Sequence, residues 1–195
     1  MKIKQIIAPI LMLCAVLVGC SVRAAQPTET KDNKEMKSII VYFTHSNNTG
    51  LAAQKLAEIT GADIVRLEPA EPYSTADLDW TNEQSRCTQE HLDQTRRPAI
   101  KPLNVNFNDY DTIFIGFPIW WHEEPAVIRT FLDGIDFKGK QLYPFCTSYE
   151  SPMSEADTTL QKGYPNLNWH TGLRFPAPPE QIKDWLKEET SNITQ

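Results

Sequence analysis

The stretch that most constrains this chain is Ser38-Ile-Ile-Val-Tyr-Phe43 running straight into Thr44-His-Ser-Asn-Asn-Thr49. A short β-branched and aromatic run reads as a buried strand. It empties into six residues, five of which carry hydroxyl or amide side chains. Behind them Ala52, Leu56 and Ile59 recur at the spacing of one helix face. A strand, a polar loop and a helix start in that order make an anion site. The first amides of a helix have no partner within it and point at the loop. The hydroxyls of Thr44, Ser46 and Thr49 add donors, and no Lys or Arg lies in the loop, so the cradle is built from neutral groups. Neither G-x-x-x-x-G-K-[ST] nor G-x-G-x-x-G is present, which argues against a nucleoside-triphosphate P-loop and a dinucleotide fingerprint. The same residues also suit a well-capped turn that binds nothing.

Further along, strands alternate with helices. The spacing predicts strands over Ala62–Leu67, Asp111–Phe117, Gln141–Cys146 and Trp169–Phe175. It predicts helices over Thr49–Thr60, Pro125–Asp133, Ser151–Gly163 and Pro179–Glu188, the first closed by Gly61. Such alternation implies an α/β three-layer sandwich on a parallel sheet. Pro144 falls inside the fourth strand, where it should interrupt a ladder bond or mark a bulge. The connection from Glu68 to Asn108 is long, and Asp77–Thr95 reads as one exposed helix within it.

The amino terminus is a separate matter. Lys2 and Lys4 precede an apolar run from Ile6 to Val18, then Leu17-Val-Gly-Cys20. This pattern reads as an export signal over residues 1–19 with Cys20 as a lipidation site; a plain signal cut near Ala24-Ala25 is the alternative. Residues 20–36 read as a flexible tether and 37–195 as one domain. Localisation is then exported and lipid-anchored at a bacterial cell envelope. A net charge of −6 without a basic stripe argues against nucleic acid as a partner. No CxxC and no His spacing of the H-x-x-x-H kind occurs, so neither a redox dithiol nor a metal site is expected.

In a parallel sheet, loops after the strands gather on one edge, where ligands bind. The polar loop would therefore neighbour Phe117-Pro-Ile-Trp-Trp-His122 and Thr147-Ser-Tyr-Glu150. Two consecutive Trp cannot both face the core, so one is expected to offer a flat platform for a planar, phosphorylated ligand. The alternative is that both indoles pack under the 68–108 excursion.

Tyr42-Phe-Thr-His-Ser-Asn-Asn-Thr49, Tyr110-Asp-Thr-Ile-Phe-Ile-Gly-Phe-Pro-Ile-Trp-Trp121 and Pro144-Phe-Cys-Thr147 resemble the flavodoxins, in the branch with a P-I-W-W loop. The resemblance runs from about Lys37 to Phe175. It implies a five-stranded sheet of order 2-1-3-4-5 and FMN held by three loops. By position, Thr44, Ser46, Asn47, Asn48 and Thr49 would hold the phosphate. Pro118, Ile119, Trp120, Trp121 and His122 would flank the ring from one side, and Thr147, Ser148 and Tyr149 from the other. The chain departs from the family pattern at Asn47 and His122, where Gly is usual, and in the glycine-free loop 147–152. The function implied is electron transfer or flavin-dependent reduction, with a redox protein or quinone-like molecule as partner. The alternative is a flavodoxin fold that has lost FMN and serves as an envelope binding or assembly module.

Overall fold

A computed structural model describes residues 37–191. The export segment 1–19, Cys20, the tether 20–36 and residues 192–195 lie outside the described residues. The sheet contains β1 (Ser38–Tyr42), β2 (Asp63–Arg66), β3 (Thr112–Pro118), β4 (Gln141–Thr147), β5 (Asn168–Trp169) and β6 (Leu173–Phe175). The helices are α1 (Asn48–Thr60), α2 (Arg86–Leu92), α3 (Ala126–Gly134), α4 (Met153–Gly163) and α5 (Pro179–Ser191). All pairings among these strands are parallel, in the order β2-β1-β3-β4-β5. The expected order 2-1-3-4-5 is therefore present.

The apolar residues of β1 explain the layering. Alternate side chains of a strand leave opposite faces, and a parallel sheet is covered on both. Ile39, Val41 and Phe43 join Ile113, Ile115 and Phe117 in one core, sealed by Val127, Ile128 and Phe131 of α3 and by Ala156 and Leu160 of α4. Ile40, Phe114, Tyr143 and Phe145 form the other, sealed by Ala53 and Leu56 of α1 and by Ile182 and Trp185 of α5.

Two expectations need correction. The fifth strand is split: β5 and β6 both pair with β4, at Leu142–Trp169 and at Phe145–Leu173, with a break between them. That break accounts for Pro144, which stays in register opposite Ile115 without a bulge. Backbone groups of successive strand residues point to opposite neighbours. Leu142 turns its carbonyl to His170, and Thr147 turns its own to Ile119 on the β3 side. By that parity the missing N–H of Pro144 falls in the gap between β5 and β6, where no ladder bond is lost.

The second correction concerns the excursion. Instead of one exposed helix over Asp77–Thr95 there is a 3₁₀ turn at Ala76–Leu78 and the seven-residue α2. Helix α2 buries Cys87, Thr88 and Glu90. The Tyr73 hydroxyl donates to Glu90 Oε2 at 2.6 Å, and Arg86 Nε donates to Glu90 Oε1 at 2.8 Å while its guanidinium lies over the Tyr73 ring. Arg129 of α3 donates through Nη2 to the Glu90 carbonyl at 2.9 Å. A charge buried in this way has its lone pairs filled, and the excursion is thereby fastened to the sheet.

Candidate functional site

Three loops leave the carboxyl edge of the sheet from β1, β3 and β4. The β1–α1 loop turns on Asn47, whose φ is +69°. Asn is among the few side-chain-bearing residues that enter this region at low cost, so it replaces a glycine there. Asn47 makes no side-chain cap hydrogen bond, and the first bond closing α1 runs from Leu51 N–H to the Asn47 carbonyl. The amides before Leu51 thus lack the side-chain acceptor that commonly ends a helix.

One cavity of about 560 Å³ touches all three loops. Its wall includes Ser46 and Asn48 from the first, Pro118 and Ile119 from the second, and Thr147, Ser148 and Tyr149 from the third. Thr44 and Thr49 are buried and do not line it, although Thr49 Oγ1 hydrogen-bonds Thr147 Oγ1 at 2.8 Å and so ties the first loop to the third. Asn47 shapes the turn and is also not in the wall. Residues that sequence reasoning missed are Leu51, Ala52 and Lys55 of α1, with Phe175 at the end of β6 and Pro176 just after it. The three from α1 follow Asn48 at helical spacing, a signal that was present. Lys55 donates to the Ala177 carbonyl at 3.1 Å, and Arg66 donates to the Thr44 carbonyl at 3.2 Å, so two cations stand close behind a loop that holds none itself.

The indole loop has another geometry. Trp120 and Glu123 exchange both backbone hydrogen bonds at 3.0 Å, closing a two-residue turn over Trp121 and His122. Both central residues have positive φ, +54° and +67°. This is the primed hairpin turn that ordinarily selects Asn-Gly. For residues this bulky the conformation costs roughly 1–2 kcal/mol each. Tertiary contacts hold it. Trp121 stacks on His91 with centroids 5.0 Å apart, and Trp80 meets its edge at 6.4 Å. Glu123 Oε1 accepts from Gln94 at 2.8 Å and pairs with His91 Nδ1 at 2.9 Å. His122 Nδ1 pairs with Glu155 Oε2 at 2.7 Å.

Neither indole is an unpartnered platform. Trp120 stands edge-on to Phe43 and Tyr73, with centroids at 5.5 and 5.2 Å, so both Trp pack against the excursion. Trp120, Trp121 and His122 line a second cavity, of about 450 Å³, which shares Ile119 with the first. The structure therefore brings together seven of the expected residues in one cavity and places these three in its neighbour. The glycine-free third loop carries no backbone strain, since the positive-φ residues other than glycine among those described are Asn47, Trp121 and His122. Tyr149 is 97% exposed and stands at the cavity rim. Cys87 and Cys146 are buried free thiols, and burial pushes the Cys146 thiol up to about 12.

The flavodoxin family profile matches residues 37–189. A provisionally assigned flavoprotein from Bacteroides eggerthii is 43% identical over 77% of this chain and 96% of its own, with a TM-score of 0.75. Another, from Bacteroides uniformis, is 40% identical over 78% and 98%, with a TM-score of 0.74. A flavoprotein from Lactobacillus acidophilus, solved in complex with FMN, shares the fold at 23% identity over 77% and 99%, with a TM-score of 0.65. No curated protein matches the chain by sequence. The sheet order, the three loops at its carboxyl edge and the matched profile agree: the chain belongs to the flavodoxin family.

Proposed function

We propose that this chain binds FMN in the 560 Å³ cavity and transfers electrons at the cell envelope. The observation that carries the reading is that one cavity is walled by all three loops. The donor set fits the ligand. Ser46 and Asn48 supply neutral donors beside a helix start, as a phosphate requires. Pro118, Ile119 and Tyr149 supply apolar and aromatic wall for a flat ring, and Ser148 adds a hydroxyl beside it. The Lactobacillus flavoprotein of the same fold is a complex with FMN, which supports the choice of ligand. When bound, FMN supplies reversible uptake of one or two electrons.

The chain's own residues then do the positioning. Ser46 and Asn48 hold the phosphate, and Lys55, two turns along α1 on the same face, lends positive charge. The Thr49–Thr147 hydrogen bond keeps the phosphate loop and the third loop at fixed separation. The net charge of −6 disfavours an anionic reduced ring and so bears on the potential. The electron partner is a redox protein or a quinone-like small molecule, and lipid on Cys20 holds the domain at the membrane.

Absorption of the purified protein at the flavin bands tests this, together with FMN titration of the wild type and a Ser46→Ala, Asn48→Ala double variant. Yellow protein, or uptake of one equivalent, with affinity reduced at least tenfold in the variant, is the expected result. A colourless protein that takes up no FMN would overturn it. Equal affinity in the variant would show that the phosphate lies elsewhere.

A further inference from the structure

A cavity of about 500 Å³ lies between α3 and α4, under the end of the excursion, and shares no residue with the two cavities at the loops. Its wall is charged: Arg97, Arg129 and Lys162 stand in it with Glu123, Glu124 and Asp133. The pairing among them is uneven. Every carboxylate is engaged. Glu123 is held by Gln94 and His91, Glu124 Oε2 accepts from Thr159 Oγ1 at 2.9 Å, and Asp133 accepts from Tyr164 and Arg97. Two of the cations are not. Arg129 is 4% exposed and gives Nη2 to the Glu90 carbonyl, but its Nε and Nη1 are buried without a hydrogen-bond partner. Oε1 of Glu123 and Oε1 of Glu124 each stand 3.7 Å from that Nη1, beyond hydrogen-bond reach. Lys162, exposed in the last turn of α4, makes no hydrogen bond or ion pair among the described residues. Burial also pushes the Glu124 carboxyl up, which lightens the negative side of the balance. The spare capacity of this wall is therefore cationic and entirely of the donor kind.

We infer that this cavity is a binding site for a short dicarboxylate, with one end on Arg129 inside the wall and the other on Lys162 at the rim. The hydrogen-bond ledger selects the class. Idle donors on a buried guanidinium are costly, and a ligand oxygen removes that cost. A carboxylate takes charge-assisted bonds from guanidinium and ammonium alike, whereas a neutral or cationic compound leaves both unpaired. The two cations belong to different helices, Arg129 to α3 and Lys162 to α4. A ligand with acceptors at both ends therefore engages both, and a ligand with one carboxylate engages one. The volume of about 500 Å³ admits a chain of four or five carbons between them. None of this depends on the cofactor cavity, so the site stands whether or not the chain carries FMN.

The probe is succinate, titrated calorimetrically into the purified chain with and without FMN. Succinamide, neutral and of the same length, and acetate, with a single carboxylate, are the controls. One equivalent of succinate should bind under both conditions, and each control at least tenfold more weakly. Lys162→Ala should weaken succinate at least tenfold, and Lys162→Arg should restore it to within threefold. Because Lys162 is exposed and makes no bond among the described residues, its urea midpoint should match the wild type in both variants. In the unmutated chain the Arg129 Nε–H signal in nuclear magnetic resonance should shift on saturation with succinate. Absence of succinate binding, wild-type affinity in Lys162→Ala, equal binding of either control, or an unmoved Arg129 signal would each overturn the inference. Displacement of succinate by FMN would overturn it as well, by assigning the cavity to the cofactor.

Discussion

Among the described residues, two turns enter left-handed backbone space on residues other than glycine, and they are built on different principles. Asn47 turns the β1–α1 loop with φ +69° and is exposed. Trp121 and His122 turn the β3–α3 loop with φ +54° and +67° and depend on partners from distant segments. Those partners are Trp80 and His91 of the excursion, Gln94 through Glu123, and Glu155 of α4. The first turn is a local solution, in which the residue type itself tolerates the conformation. The second is a tertiary solution, in which packing over-determines a conformation that its residues disfavour. A phosphate loop of the first kind forms wherever strand and helix meet. An aromatic wall of the second kind exists only when the whole excursion is folded down.

Glu123→Ala should break the contrast most severely. Glu123 accepts from Gln94, pairs with His91 and stands 3.7 Å from the buried Arg129 guanidinium. Leaving part of a buried charge uncompensated costs about 3 kcal/mol. Urea denaturation should register that loss, whereas Asn47→Gly should change stability by only a few tenths of a kcal/mol. A loss below about 1 kcal/mol in Glu123→Ala would mean that the second turn holds itself.

A pH series gives a baseline from a carboxyl whose hydrogen bond goes to neither turn. Burial pushes the Asp157 carboxyl up to about 6 from an ordinary 3.8, while its Oδ2 accepts from Gly172 N–H at 3.0 Å. A raised carboxyl pKa means that folding favours the protonated form. Stability is then greatest below about pH 4, falls as pH rises through about 6, and stays lower above it. Asp157→Asn should remove that slope and gain about 1 kcal/mol at pH 7, allowing for partial solvent screening. An unchanged pH profile in denaturant melts would reject the assignment.

The subtlest test is His122→Gly. Glycine relieves the positive φ, worth about 1 kcal/mol, at the expense of an exposed pair with Glu155 worth less than that. A net gain of about 0.5 kcal/mol is expected, and a loss above 1 kcal/mol would show that the turn is not strained at His122.

Much of this was legible in the residues. Ser38–Phe43 announced its strand through β-branching, and α1 ended at Gly61 as expected, because both signals are local. The three loops could be placed together because strand alternation dictates a parallel sheet. What the sequence left hidden was tertiary. Helix α2 is short and half-buried because Tyr73 and Arg129, far away in the chain, complete the hydrogen bonding of Glu90. Pro144 is harmless because a neighbouring strand breaks opposite it. The packing of both indoles on the excursion turns on His91, Trp80 and Tyr73, whose approach no spacing rule shows. The wall residues of α1 were recoverable from helical periodicity, whereas Phe175 and Pro176 came only with the path of β6.

The central claim is that the neutral loop at Ser46 and Asn48 receives the phosphate of a flavin whose ring reaches the other two loops. Calorimetric titration of the purified chain with FMN and with riboflavin, which lacks the phosphate, tests it most directly. The account predicts one FMN per chain and riboflavin bound at least 100-fold more weakly. Equal affinity for the two, or no uptake of either, would contradict it.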